Sequence, residues 1–217
     1  MNPVAKRSVT ALSVAAAIVL AIIYAPPAAV SLAIGAIAFL AALEYCALLR
    51  KASVAGRKAW QVAVLLAAGI AALICAFGAL AGIARSHGNV MLLYVVAAVK
   101  ISDMGGFAFG LLFGRHKLCP RISPNKTWEG LAGSVFASCL LSAAFMPLTK
   151  FALPLALGCG AVAALAGTAG DLVESAYKRW VGVKDSSVLP FTNGMGGILD
   201  MTDSLFFAPA IMAAIAF

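Results

Sequence analysis

Apolar residues run along this chain in long blocks, separated by short polar stretches. Seven blocks stand out, at 9–25, 28–49, 59–84, 89–113, 128–146, 151–173 and 199–217. Roughly 20 apolar residues cross the hydrocarbon core of a bilayer as an α-helix, so each block predicts one span. Pro26 and Pro27 mark the first turn, because proline cannot continue a helix. The expected fold is all-α: a polytopic membrane helix bundle of about seven transmembrane helices.

The polar stretches set the orientation. Lys6 and Arg7 precede the first block, and Arg50, Lys51, Arg57 and Lys58 follow the second. Arg115, Lys117, Arg121 and Lys126 follow the fourth; Lys178, Arg179 and Lys184 follow the sixth. The intervening connections hold only Arg85 and Lys150. Basic residues therefore fall in every second loop, which the positive-inside rule assigns to the cytoplasm. The N-terminus is expected inside and the C-terminus outside. Lys6 and Arg7 ahead of an apolar run also fit a signal peptide, but the spans that follow favour a first transmembrane helix.

Composition narrows the picture. Of 217 residues, 63% are hydrophobic, against about 45–50% in soluble domains. We expect one integral membrane domain over 1–217, with N-terminal spans in 1–98 and a catalytic region in 99–217. The cytoplasmic loops of that region are 114–127 and 174–199. The net charge of +8 resides in such loops, and no nucleic-acid partner is expected. Cys46, Cys75, Cys119, Cys139 and Cys159 form no CxxC pair and read as small membrane-buried side chains.

The candidate chemistry lies with the acids. Seven of the eight, Asp103, Glu129, Asp171, Glu174, Asp185, Asp200 and Asp203, lie beyond residue 100, and only Glu44 precedes them. Acids within or beside spans are expensive and point to function. Asp103 lies three residues after Lys100, spacing that suits either a structural ion pair or a site lined by both. Asp171, Glu174 and Lys178 are spaced for one helical face. Glycines in NGMGG, Gly196 and Gly197 among them, can present N–H groups to an anion. Asp200 and Asp203, at i and i+3, can offer both carboxylates to one point; paired oxygen ligands with substrate phosphates suit Mg²⁺. Helix-capping acids are the alternative. The loop GRHKLCPRISPNKTWEG carries Ser123, Asn125, Lys126 and Thr127, which can bind phosphate oxygens or simply face anionic lipid heads.

Two stretches carry a resemblance. DMGGFAFGLLFGRHKLCPRISPNKTWEG, from Asp103 to Gly130, resembles the middle region of phosphatidate cytidylyltransferases. GDLVESAYKRWVGVKDSSVLPFTNGMGGILDMTDSL, from Gly170 to Leu205, is similar to that family's C-terminal signature of SxxKR, KDS, PGHGG and DRxDS. The resemblance implies a multi-span enzyme, often a homodimer, of a bacterial inner membrane with its active site facing the cytoplasm. It implies Mg²⁺, with room for a second cation. CTP and phosphatidic acid would react to give CDP-diacylglycerol and pyrophosphate beside membrane lipids. Carried over by motif position, Asp171, Asp200 and Asp203 are the metal ligands. Lys178, Arg179, Lys184 and Asp185 match SxxKR and KDS. Ser123, Lys126 and Thr127 match the hydroxyl-rich loop, and Asp103 the acid that opens it. The chain departs from the pattern at Met195 and Met201, where the family has His and Arg. Rival readings are a related enzyme using another lipid phosphate or nucleotide, a transporter, and an inactive scaffold.

Overall fold

The computed structural model describes residues 19–20, 22–54, 56–183 and 197–216. Helix α1 spans Pro27–Val54, α2 Ala59–Ser86 and α3 Asn89–Phe113. An antiparallel hairpin follows, with β1 at Lys117–Cys119 and β2 at Ser123–Thr127. Then come α4 (Trp128–Ala144), the single turn α5 (Met146–Thr149) and the long α6 (Leu153–Val181). The C-terminal region comprises α7 (Ile198–Thr202), a 3₁₀ turn at Asp203–Leu205 and α8 (Ala208–Ala216).

Among the described residues, five helical segments are long and apolar enough to cross a membrane: Pro27–Ala52, Ala59–Ser86, Asn89–Phe113, Leu153–Val181 and Ile198–Ala216. Helix α4, with 17 residues, sits at the short end of the spanning range of about 17–25. The fold is the expected all-α polytopic bundle, and these six segments match the second to seventh apolar blocks. Most of the first block lies outside the described residues.

Two stretches expected as loops are ordered otherwise. Residues 114–127 contain the hairpin, whose first strand pairs Lys117 with Thr127 and Cys119 with Ser123. Residues 174–181 are helical, because α6 continues to Val181. Its apolar face carries on through buried Tyr177 and Val181, and Glu174 pairs with Lys178 one turn later. Gly182 then stops it: at φ +86° it adopts the left-handed cap, and its N–H donates to the carbonyls of Lys178 and Arg179.

Small residues set how closely the helices approach. A Cβ at Gly105 would lie 2.7 Å from the Gly133 carbonyl, and one at Gly133 would collide with the Phe109 side chain. Helices α3 and α4 therefore cross almost backbone to backbone, as membrane helices with small-residue stripes do. Buried hydroxyls reinforce the contact: Ser138 donates to the Ala98 carbonyl (3.0 Å) and Tyr94 to Ser142 (3.1 Å). On the other side, Tyr45 of α1 stacks on Tyr177 of α6 with centroids 4.8 Å apart.

The basic connections gather at one end of the bundle. Arg57 lies over the Trp180 ring at 5.1 Å and donates to the Trp180 carbonyl at 2.9 Å. Lys126 of the hairpin reaches Asp171 of α6. The α1–α2 connection, the hairpin and the end of α6 thus share a face, as alternating basic loops require.

The glycine crossing gives a test. Gly133→Leu overpacks the α3–α4 contact and should cost at least about 1–3 kcal/mol. Gly158, whose added Cβ meets nothing within 4 Å, should accept alanine without loss. Thermal midpoints in detergent check both; equal midpoints would refute the close crossing.

Candidate active site

Helix α6 organises the site, because Asp171, Glu174 and Lys178 recur on one face at helical spacing. Each meets a different neighbour. Lys126 Nζ lies 2.6 Å from Asp171 Oδ2, both side chains being three-quarters buried. Asp203 comes within hydrogen-bonding reach of Asp171. Asp103 of α3 lies near Asp171, pairs with Lys100 at 3.6 Å and reaches Ser204. Lys100 also donates to Ser204 Oγ at 2.9 Å and to the Met201 carbonyl at 3.0 Å.

The approach of Asp203 to α6 depends on Gly170. A Cβ at that position would run into the Asp203 carbonyl. The small-residue run GTAG thus lets the C-terminal turn lie against the helix one residue before Asp171.

A second cluster forms two turns along α6. Lys178 Nζ lies 2.9 Å from Asp200 Oδ1 and 2.6 Å from Glu174 Oε2. The Glu174 contact is an ion pair off the axis of a good hydrogen bond. The Glu174 side chain is only 1% exposed and that of Lys178 13%. Asp200 Oδ2 also accepts the Gly197 N–H at 3.2 Å, capping its own short helix.

Between the hairpin, α3, α4 and α6 lies a cavity of about 280 Å³. Its walls include Asp103, Ser123, Asn125, Lys126, Thr127 and Asp171. Residues far apart in sequence therefore converge on one cavity. Thr127 also caps α4, its hydroxyl oxygen accepting the Gly130 N–H at 3.0 Å.

Other expected residues are placed differently. Asp171, Asp200 and Asp203 do not converge as three ligands, and among the described residues no group of three or more His, Cys, Asp and Glu does. The expectation assumed a continuous helix through 200–203. Instead α7 ends at Thr202, Asp203 opens a 3₁₀ turn, and Asp200 folds back on Gly197. Arg179 is exposed in the last turn of α6. Gly197 is the N-cap of α7. Lys184, Asp185, Met195 and Gly196 lie outside the described residues.

Two acids enter the site's surroundings without having been assigned to it. Glu174 sits between Lys178 and Asp200. Glu44, fully buried in α1, accepts the Leu199 N–H at 2.9 Å. The available signal was its position, a lone acid inside an apolar block.

The described geometry defines a class: a membrane helix bundle that holds lysine–carboxylate clusters around a polar cavity at its basic end. The sequence model of the Cytidylyltransferase family matches residues 57–217, and the chain belongs to that family. It is similar to the phosphatidate cytidylyltransferase of Staphylococcus aureus (strain COL), at 44% identity over 126 residues, covering 57% of this chain and 47% of the relative. The enzymes of that name from Staphylococcus saprophyticus and Staphylococcus epidermidis align over the same shares, at 44% and 43% identity. The match thus spans about half the length of these relatives.

Lys178→Met leaves Glu174 and Asp200 buried without their cation. Breaking a buried pair from one side costs about 3–5 kcal/mol. Adding Glu174→Gln should restore part of that. Thermal unfolding of the single and double variants provides the check, and a stable Lys178→Met protein would refute the pairing.

Proposed function

We propose that this chain transfers CMP from CTP to phosphatidic acid, giving CDP-diacylglycerol and pyrophosphate. The observation that carries the reading is the 280 Å³ cavity, where Ser123, Asn125 and Lys126 of the hairpin face Asp103 and Asp171. Hydroxyl, amide and ammonium donors bind phosphate oxygens, and the carboxylates opposite suit a metal that phosphates share. The homologous staphylococcal enzymes support the same activity.

The clustering of acids supports a divalent cation. Across the two clusters, Lys100, Lys126 and Lys178 interleave with five acidic side chains, those of Asp103, Asp171, Glu174, Asp200 and Asp203. Asp171 and Asp203, brought together with no group of three or more such ligands among the described residues, fit Mg²⁺, which keeps several waters and takes substrate phosphates. When bound, it would neutralise phosphate charge and polarise a phosphoryl oxygen. Asp200 belongs to the neighbouring cluster, where a second cation would find it beside Glu174.

The chain's own residues do the positioning. Lys126 holds a phosphate oxygen while tethered to Asp171, and the hydroxyl of Ser123 and amide of Asn125 orient the chain of phosphates. The phosphate of phosphatidic acid attacks the α-phosphorus of CTP, and pyrophosphate leaves. Lys178 with Arg179, and Lys184 with Asp185, serve the departing charge. By motif position, the glycine-rich stretch at Gly196 and Gly197 is assigned to the same anion. Such preorganised donors stabilise developing charge without reorganising at the moment of reaction.

The lipid has a neighbouring place. A largely apolar cavity of about 720 Å³, lined by Tyr45, Trp60, Leu65, Tyr177, Trp180 and Phe206, shares Glu174 with the second cluster. It takes an acyl chain while the headgroup meets CTP. The site faces the cytoplasm of a bacterial inner membrane, the enzyme works as a homodimer among membrane lipids, and nucleic acid plays no part. One observation favours a second reading, the same transfer with another lipid phosphate or nucleotide: exposed Met201 offers no charge where the family has Arg.

Pyrophosphate release from the purified chain should require CTP, phosphatidic acid and Mg²⁺ together. Asp171→Asn and Asp200→Asn should each lower it at least about 100-fold, the scale of losing a transition-state electrostatic contact, while the proteins stay folded. Release without phosphatidic acid, or full activity in either variant, would sink the assignment. Release only with a different nucleotide or lipid phosphate would select the second reading.

A further inference from the structure

Helix α7 has five residues, too few to hold itself together, since nucleating a helix is unfavourable. Yet it sets Asp200 against Lys178 and leads directly into Asp203. Its geometry must be imposed from outside. Lys100 of α3 does so at the C-terminal end, through the Met201 carbonyl and Ser204 Oγ. At the N-terminal end the imposed contact is Glu44, whose Oε2 accepts the Leu199 N–H. Acid at the start and cation at the end both complement a helix's polarity.

Glu44 is fully buried in α1. A carboxylate there is costlier than an apolar side chain of similar size, so packing alone does not account for it. The N-terminal N–H groups of α7 need acceptors, and Asp200 already caps Gly197 with Oδ2 while holding Lys178 with Oδ1. Without Glu44, Asp200 is the nearest carboxylate on the same turn to take the Leu199 N–H as well. It would do so at the expense of Lys178.

We propose that Glu44 is a positioning residue for the transfer reaction, taking over the capping of α7 so that Asp200 stays on Lys178. The inference rests on the cytidylyl-transfer reading above. Glu44 lies outside residues 57–217, the part matched to the family, so the first described span completes a site built from the others.

The test uses the full chain as wild type, Glu44→Gln, Glu44→Asp and Glu44→Leu. Each is checked for monodispersity and thermal midpoint, then for pyrophosphate release from CTP with phosphatidic acid and Mg²⁺. Glu44→Gln keeps an acceptor oxygen and should stay within about 3-fold of wild type in kcat, whereas Glu44→Leu should fall about 10–100-fold, the range for a group that orients a functional ligand. Glu44→Asp, with its carboxylate drawn back by one carbon, should fall in between. The KM for CTP should change little in all three. Folded Glu44→Leu with wild-type kcat would overturn the proposal, as would a Gln variant as impaired as Leu. Failure of both Leu and Asp variants to fold would overturn it too, by making Glu44 a residue of the fold and not of the site. No release from the wild type overturns the transfer reading itself, a result distinct from active wild type with unchanged variants.

Discussion

A carboxylate among apolar helices needs a cation or a hydrogen-bond donor facing it, and the arrangement of this bundle follows from meeting that condition repeatedly. Lys126 leaves the hairpin to reach Asp171, Lys178 reaches across α6 to Asp200, and Lys100 crosses from α3 to the C-terminal turn. Each pairing joins elements distant in sequence. Lys126 and Asp171 therefore both fix the tertiary fold and line the polar cavity.

Such pairings need backbones close together, and small residues permit it. The α3–α4 crossing at Gly105 and Gly133 sets Asp103 beside the hairpin. Gly170 does the same for the C-terminal turn against α6. Substituting these glycines would separate carboxylates from their lysines before it disturbed any residue with chemistry of its own.

The membrane architecture was legible in the sequence because it rests on block length and on the alternation of basic loops. Lys126 and Asp171 were each marked by the motifs around them, though not as partners. The end of the sixth block was not: hydropathy falls after residue 173, yet Glu174 and Lys178 neutralise each other and let the helix continue to Val181. The hairpin was hidden as well, since Ser123–Thr127 is polar and contains a proline, and its pairing depends on the helices that bracket it. Glu44 was visible as an isolated acid, but its partner, a backbone N–H at Leu199, carries no mark in a sequence.

The separation of Asp200 from Asp203 follows from the same charge condition. On an unbroken helix their carboxylates would share a face with Asp171 nearby, placing three negative groups at one point. Ending α7 at Thr202 sends Asp203 to Asp171 and leaves Asp200 with Lys178. The result is two centres along α6, each with its own lysine. A triphosphate is itself extended, with the reacting phosphorus at one end and the leaving charge at the other. Under the proposed reaction, the centre at Asp171 and Asp203 adjoins the cavity that holds the reacting phosphates, and Lys178 marks the direction in which pyrophosphate departs. Dividing the acids between two places thus keeps Asp200 away from Asp171 and Asp203, and under the proposed reaction it would set the two centres along the extended triphosphate.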